Sequence, residues 1–178
     1  MVRALVTGAT GLIGNRIAAQ LVGAGHPVRV LARDPERAAA GTEWVFHTAG
    51  MPEQWQPDPG VFDRVNRQGT RNVLEAALAA GTRRVMHTST MDVFAPDAGG
   101  RLTEALVDPH PKHTACERSK QAAGREAEAL RVRGPLAFVL WNARVDATKA
   151  RRELDYSPMP LAEGLGRTLG SFRQQRLI

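Results

Sequence analysis

Short runs of apolar and β-branched residues alternate along this chain with longer stretches whose apolar positions recur every three to four residues. Residues 2–7 (VRALVT) form such a run, ending at Gly8, and predict a buried strand. Leu12, Ile13, Ile17, Ala18, Leu21 and Val22 follow at helical spacing, and Gly23, Gly25 and Pro27 stop that helix. Residues 27–32 (PVRVLA) predict a second strand. Strand, glycine turn, helix and strand within about 30 residues make one βαβ unit, whose strands are parallel and whose crossover is right-handed. Asp34-Pro35-Glu36 reads as a capped helix start, and that helix runs through Ala38, Ala39 and Ala40 to Gly41. The same reasoning predicts a strand over 43–48 and a long helix over 62–80, with Val65, Val73, Leu74, Ala77 and Leu78 on one face. A fourth strand follows over 84–89, a helix over 114–133 closed by Gly134, a fifth strand over 135–141, and helices over 147–154 and 161–175. The alternation predicts an α/β protein with a doubly wound parallel sheet and helices on both faces.

Composition narrows the function classes. With 178 residues, 43% hydrophobic and 24% charged, the chain can build a core without staples. Cys116 is the single cysteine, so no internal disulfide and no all-cysteine metal site can form. No stretch reaches the roughly 20 apolar residues that span a bilayer. The N-terminus runs straight into a glycine motif without the layout of a signal peptide, so the expectation is a soluble cytoplasmic protein with no membrane partner. A net charge of +6 and a pI near 10.6 raise the question of nucleic acid. The arginines are scattered, no run reaches five basic residues, and aromatics are 5%, so a solvated basic surface is expected and no nucleic-acid partner. His110 and His113 lack a third ligand of suitable spacing, so no metal site is expected.

The chemistry sits in the first turn. Between the first strand and first helix stands Thr7-Gly8-Ala9-Thr10-Gly11-Leu12-Ile13-Gly14, with glycines spaced G-x-x-G-x-x-G. Gly8 permits the tight turn, Gly11 lets backbone approach a pyrophosphate, and Gly14 lets the helix pack on the strand. The amides of Thr10, Gly11, Leu12 and Ile13 and the helix N-terminus suit a phosphate. At the end of the second strand, Ala32 and Arg33 stand where a carboxylate would bind the ribose 2′-hydroxyl of NAD. An arginine there suits the 2′-phosphate of NADP, with NAD still possible.

TGATGLIG, VFHTAG, VNRQGTRNVLEAALAAGTRRVMHTST and the pattern TAxxxSK together resemble the extended short-chain dehydrogenase/reductases, which include the epimerase/dehydratases and dihydroflavonol-reductase-like enzymes. The resemblance implies a Rossmann-type domain over 1–140, with 141–178 a remnant of a substrate domain that is otherwise largely missing. It implies hydride transfer between a nicotinamide and a carbonyl or secondary alcohol. Thr90 takes the catalytic hydroxyl position, with Ser89 its rival, and Lys120 takes the lysine position. Thr48, Ala49 and Gly50 carry backbone past the cofactor. Asn66 and Thr70 pack behind the site. The helices over 62–80 and 114–133 match those that form the family's dimer interface, so a homodimer is expected.

The departure is Cys116, which stands four residues before Lys120 where the family has its general-acid tyrosine. A thiol with a free pKa of about 8.5, lowered further by Lys120, is acidic enough to donate a proton, but it is shorter than a phenol by several ångströms. The expectation is intact cofactor binding with hydride transfer weakened or lost. The alternatives are a catalytically silent dinucleotide-binding sensor or scaffold, and a nucleotide-sugar epimerase or dehydratase. Only about 10 residues separate the second and third predicted strands, near the minimum for a crossover. The family's adenine-covering strand is not among them. Either the chain carries a deletion or its sequence joins ordered pieces of a longer protein.

Overall fold

In a computed structural model, residues 1–31, 34–98, 101–130, 144–145 and 147–174 are described. Strands β1 (Ala4–Thr7), β2 (Val28–Val30), β3 (Trp44–His47) and β4 (Arg84–His87) form one parallel sheet in the order β2-β1-β3-β4. Leu5 pairs with Val45, and Val45 with Val85. Side chains alternate between faces. Leu5, Val45 and Val85 therefore meet Ala38, Ala39, Val73, Leu74 and Ala77 on one side. Ala4, Val6 and Phe46 meet Ile17, Ala18 and Leu21 on the other. Helices thus cover both faces, as the pattern implies. The first connection, through α1 (Leu12–Gly23), moves outward from β1 to β2. The second, through α2 (Pro35–Ala39), returns past β1 to β3. The winding reverses between β1 and β3, and a crevice for a ligand lies at such a switch point.

The short crossover is closed at both ends. The Asp34 carboxylate accepts from the Arg37 N–H at 3.0 Å. Arg29 Nη1 donates to the carbonyls of Arg37, Ala38 and Ala40 at 3.1, 3.0 and 2.7 Å, capping the carbonyl end of α2.

The long helix expected over 62–80 is one rod with an internal change of pitch. α3 (Gly60–Phe62) runs into a π-helical stretch (Asp63–Gln68) and continues as α4 (Gly69–Ala79). The wider turn brings both Asn66 and Thr70, each 1% exposed, to the buried side. A second sheet, absent from the sequence reading, follows a 3-10 turn at Met91–Val93. In it, β5 (Phe94–Pro96) pairs antiparallel with β6 (Arg101–Val107), and β6 pairs parallel with β7 (Arg144–Val145). The strand expected over 135–141 lies outside the described residues, as do Gly134 and the last residues of the helix expected over 114–133.

That helix, α5 (Ala115–Ala129), opens with a capping box. Thr114 Oγ1 accepts from the Glu117 N–H at 3.1 Å, and Glu117 accepts from the Thr114 N–H at 3.0 Å. Thr114→Ala is expected to lower stability by about 1 kcal/mol, read as a shift in the urea midpoint. An unchanged midpoint would show that α5 is held by packing alone.

The chain divides into two compact units, Met1–Val145 and Asp146–Ile178. The second holds α6 (Thr148–Leu154), a left-handed residue at Asp155 (φ 53°), and α7 (Leu161–Gln174). No helix among the described residues is long and apolar enough to cross a membrane.

Candidate functional site

The loops at the switch point are packed backbone to backbone. Gly8 has φ +68°, and a Cβ there would meet the Ala49 nitrogen at 2.7 Å and the Thr48 carbonyl carbon at 2.9 Å. A Cβ on Gly14 would fall on the Gly8 carbonyl and lie 2.6 Å from Thr48 Oγ1. The Gly11 N–H donates to the Gly8 oxygen at 2.9 Å, which closes the turn. No side chain caps α1, and its first turn holds no acidic residue. Thr10, Gly11, Leu12 and Ile13 are exposed there. A helix start of this kind presents N–H groups and the positive end of its dipole to an anion. Arg33 lies outside the described residues.

A directed chain of hydrogen bonds runs beneath these loops. Thr7 Oγ1 accepts from the N–H groups of Thr48 and Ala49, both at 3.1 Å. Its own proton therefore goes to His47 Nδ1 at 2.7 Å. His47 Nε2 then donates to Thr70 Oγ1 at 3.0 Å, and Thr70 donates to the Asn66 carbonyl at 2.5 Å. The chain holds His47 as a neutral imidazole. Burial first, then His87 and Lys120, push its pKa down to about 3.

Asn66 is a clamp between the 50–51 backbone and α5. Its Oδ1 accepts from the Met51 N–H at 2.7 Å, and its Nδ2 donates to the Met51 carbonyl at 3.1 Å and to Ser119 Oγ at 3.0 Å. Ser119 in turn donates to the Cys116 carbonyl at 2.6 Å. This clamp presses Gly50 against Lys120. A Cβ on Gly50 would meet Lys120 Nζ at 2.5 Å. Burial lowers the Lys120 pKa, opposed by the neighbouring Cys116. Lys120 makes no hydrogen bond or ion pair among the described residues.

Cys116 is 7% exposed, and its thiol lies 3.6 Å from the Met51 carbonyl, to which it donates. Burial, then the Glu53 carboxylate, push the thiol pKa up to about 11, and Lys120 offsets only part of this. Lys120 does lower the thiol pKa, as the sequence implies, but the expectation of a thiol more acidic than a free one is corrected, because burial and Glu53 raise it further. The cost of a buried thiolate outweighs one partly desolvated ammonium.

Thr90 Oγ1 donates to Asp92 Oδ2 at 2.7 Å. Among the described residues, Ser89 Oγ is buried without a hydrogen-bond partner, and so are both ring nitrogens of His87. His87 stacks on His47 with centroids 5.3 Å apart, and burial and Lys120 push its pKa down to about 4. The structure thus packs Thr48 and Ala49 on the glycine turn, brings Lys120 against Gly50 and Cys116 against Met51, and sets Thr90 at the start of the 3-10 turn that follows β4. The two histidines and Asp92 were not singled out from the sequence. A local signal existed: β3 and β4 both end in His-Thr, and their register pairs His47 with His87. Among the described residues no group of three His, Cys, Asp or Glu could hold a metal.

The sequence pattern of the NAD dependent epimerase/dehydratase family matches residues 4–143. The chain belongs to that family. Human 3 beta-hydroxysteroid dehydrogenase type 7 is 40% identical over 83 residues, 42% of this chain and 22% of that protein. Sterol demethylase protein B of Methylococcus capsulatus is 30% identical over 155 residues, 73% of this chain and 47% of that protein. Among solved structures, MoeE5 in complex with UDP-glucose and NAD superposes with a TM-score of 0.59 at 26% identity, over 76% of this chain and 51% of that one. The chain therefore spans about half or less of the length of these relatives. As an epimerase/dehydratase-family member it carries the Rossmann-type sheet of oxidoreductases and epimerases, and a nicotinamide cofactor is the family's common ligand.

Proposed function

We propose that this chain binds a nicotinamide dinucleotide, NADP in preference to NAD, over the switch-point end of the sheet, along the Gly8 turn, the α1 N-terminus and residues 48–50. There it serves hydride transfer on a carbonyl or secondary alcohol of a small molecule. The observation that carries this reading is Lys120, a largely buried ammonium without an anionic or hydrogen-bonding partner among the described residues, held against Gly50. The turn fits the group: residues 10–13 at the uncapped start of α1 are exposed, and a Cβ on Gly50 would reach Lys120 Nζ. When bound, the nicotinamide gives or takes the hydride. The α1 N-terminus holds the diphosphate, and Lys120 holds ribose hydroxyls. Arg33 follows the second strand and would meet a 2′-phosphate. Thr90, hydrogen-bonded to Asp92, orients the substrate oxygen. Cys116 stands in the acid position, protonated at neutral pH and too short to reach that oxygen, so turnover is slow. The same reading includes a homodimer through the helices at 60–79 and 115–129, in the cytoplasm.

The buried, hydrogen-bonded thiol also favours a second reading, a dinucleotide-binding sensor or scaffold without turnover. Calorimetric titration with NADPH and NADH tests the shared premise. NADPH is expected to bind, and Lys120→Met to weaken it by about 10- to 100-fold, the loss of a charge-assisted hydrogen bond. No heat with either coenzyme would defeat both readings. Binding without NADPH oxidation would favour the second.

A further inference from the structure

The four-stranded parallel sheet skips a place. In the usual doubly wound order, 3-2-1-4, the third strand lies outside the second. Here the third strand in the chain, β3, pairs with β1 instead, on the side where the usual order has the fourth. Among the described residues β2 pairs with β1 and with no other strand, so it is the edge of the sheet. Val30 at that edge is 49% exposed. The connection over 31–43 holds α2, five residues long. That helix covers a face of the sheet rather than its edge. Ala38 and Ala39 are buried against the cluster of Leu5, Val45 and Leu74. Arg29 Nη1, bonded to the last carbonyls of α2, keeps it there.

A dinucleotide with its diphosphate on the α1 N-terminus carries its second ribose to the end of β2, and its base follows outward past that strand. A third strand outside β2 would bring the loop at its carboxyl end to the base. This sheet has no such strand among the described residues. Resting on the coenzyme reading above, we propose that the site holds the two riboses and the diphosphate and does not read the base, so that its ligands are nicotinamide dinucleotides carrying adenine, hypoxanthine or guanine alike. Hydrogen bonds distinguish one base from another only where the edge of the base is enclosed. An open edge finds water whatever groups it carries. A 2′-phosphate belongs to the ribose, so a preference for NADP is compatible with indifference to the base. A guanidinium stacked on the base would not discriminate either, because every base offers a π-face.

The test titrates NADPH, NADH and the reduced hypoxanthine analogue of each into the full chain by calorimetry. Hypoxanthine replaces the amine donor of adenine with a carbonyl and its neighbouring ring acceptor with an N–H, so it inverts the edge that an enclosed site would read. Each analogue is expected to bind within about threefold of its adenine parent, where an enclosed and hydrogen-bonded adenine would lose about tenfold or more. Saturation-transfer NMR on NADPH supplies a second measurement. The adenine ring protons are expected to receive less saturation than the nicotinamide ring protons. A larger loss with either analogue, or adenine protons saturated as strongly as those of the nicotinamide, would overturn the proposal and leave the coenzyme reading standing. No heat from any of the four would overturn both.

Discussion

Cys116→Tyr is expected to raise the rate of NADPH oxidation with a small ketone about 100- to 10,000-fold, the usual contribution of a positioned general acid. The site is otherwise assembled for proton transfer. Lys120 lies one helical turn beyond position 116, without a hydrogen-bond or ion-pair partner among the described residues, and its positive charge would favour a phenolate. What the present side chain lacks is reach rather than acidity. Its pKa of about 11 is close to the ordinary tyrosine value of about 10, so the thiol is a donor of similar strength. Its hydrogen, however, goes to the Met51 carbonyl beside it instead of outward to a substrate. A phenol on the same Cα would carry its hydroxyl beyond that carbonyl. Aminoacetone and hydroxyacetone are suitable ketones, and kcat is the quantity to compare. Calorimetry with NADPH on the same variant controls for overpacking, which costs about 1–3 kcal/mol where a larger side chain is forced into a filled site. Equal rates in both proteins, with coenzyme binding preserved, would show that the missing phenol is not what limits turnover.

Mild acid is expected to destabilise the Met1–Val145 unit strongly. His47 and His87 have pKa values of about 3 and about 4 in the fold, against 6.5 when unfolded. Between those limits the unfolded chain binds more protons than the native one, so unfolding free energy rises with pH. The stabilising effect of the neutral histidines is therefore complete above pH 6.5. It is lost as pH falls from 6.5 toward 4 and 3. Lowering the pH from 7 to 5 protonates both residues in the unfolded chain and neither in the fold, at a cost on the order of 2 kcal/mol for each. Urea unfolding at the two pH values reads this as a drop in midpoint. His87→Leu should roughly halve the drop. It should also leave stability at pH 7 unchanged or higher, because it removes two buried ring nitrogens that have no partner among the described residues. A midpoint independent of pH over this range would mean that the stacked pair opens to solvent.

Much of the site was legible in the order of the residues alone, and the reason is locality. The first βαβ unit and the α2 cap at Asp34 follow from patterns a few residues long, and each forms as those patterns imply. Gly8 was readable because the turn needs its left-handed backbone, and Gly14 because its Cβ would fall on the Gly8 carbonyl only six residues away. The π-helical stretch was not legible, since one residue of altered pitch leaves an apolar pattern almost unchanged. The β5-β6-β7 sheet was missed because β5 and β7 are very short, β6 pairs with β7 across a long separation, and the run at 101–107 mixes polar and apolar residues without a clean period.

The sequence by itself determined the parallel sheet, the glycine turn at its switch point, and the identities of Cys116 and Lys120 one helical turn apart. Only the tertiary structure decided what those groups are. It stacked His47 on His87, used every polar atom of the Asn66 side chain to press Gly50 toward Lys120, bonded Thr90 to Asp92, and made the Cys116 thiol a weaker acid than its neighbour Lys120 implied. The physical reason is that charge state and hydrogen-bond partner depend on desolvation and on contacts between distant segments. Backbone turns and helical faces depend on residues only a few positions apart.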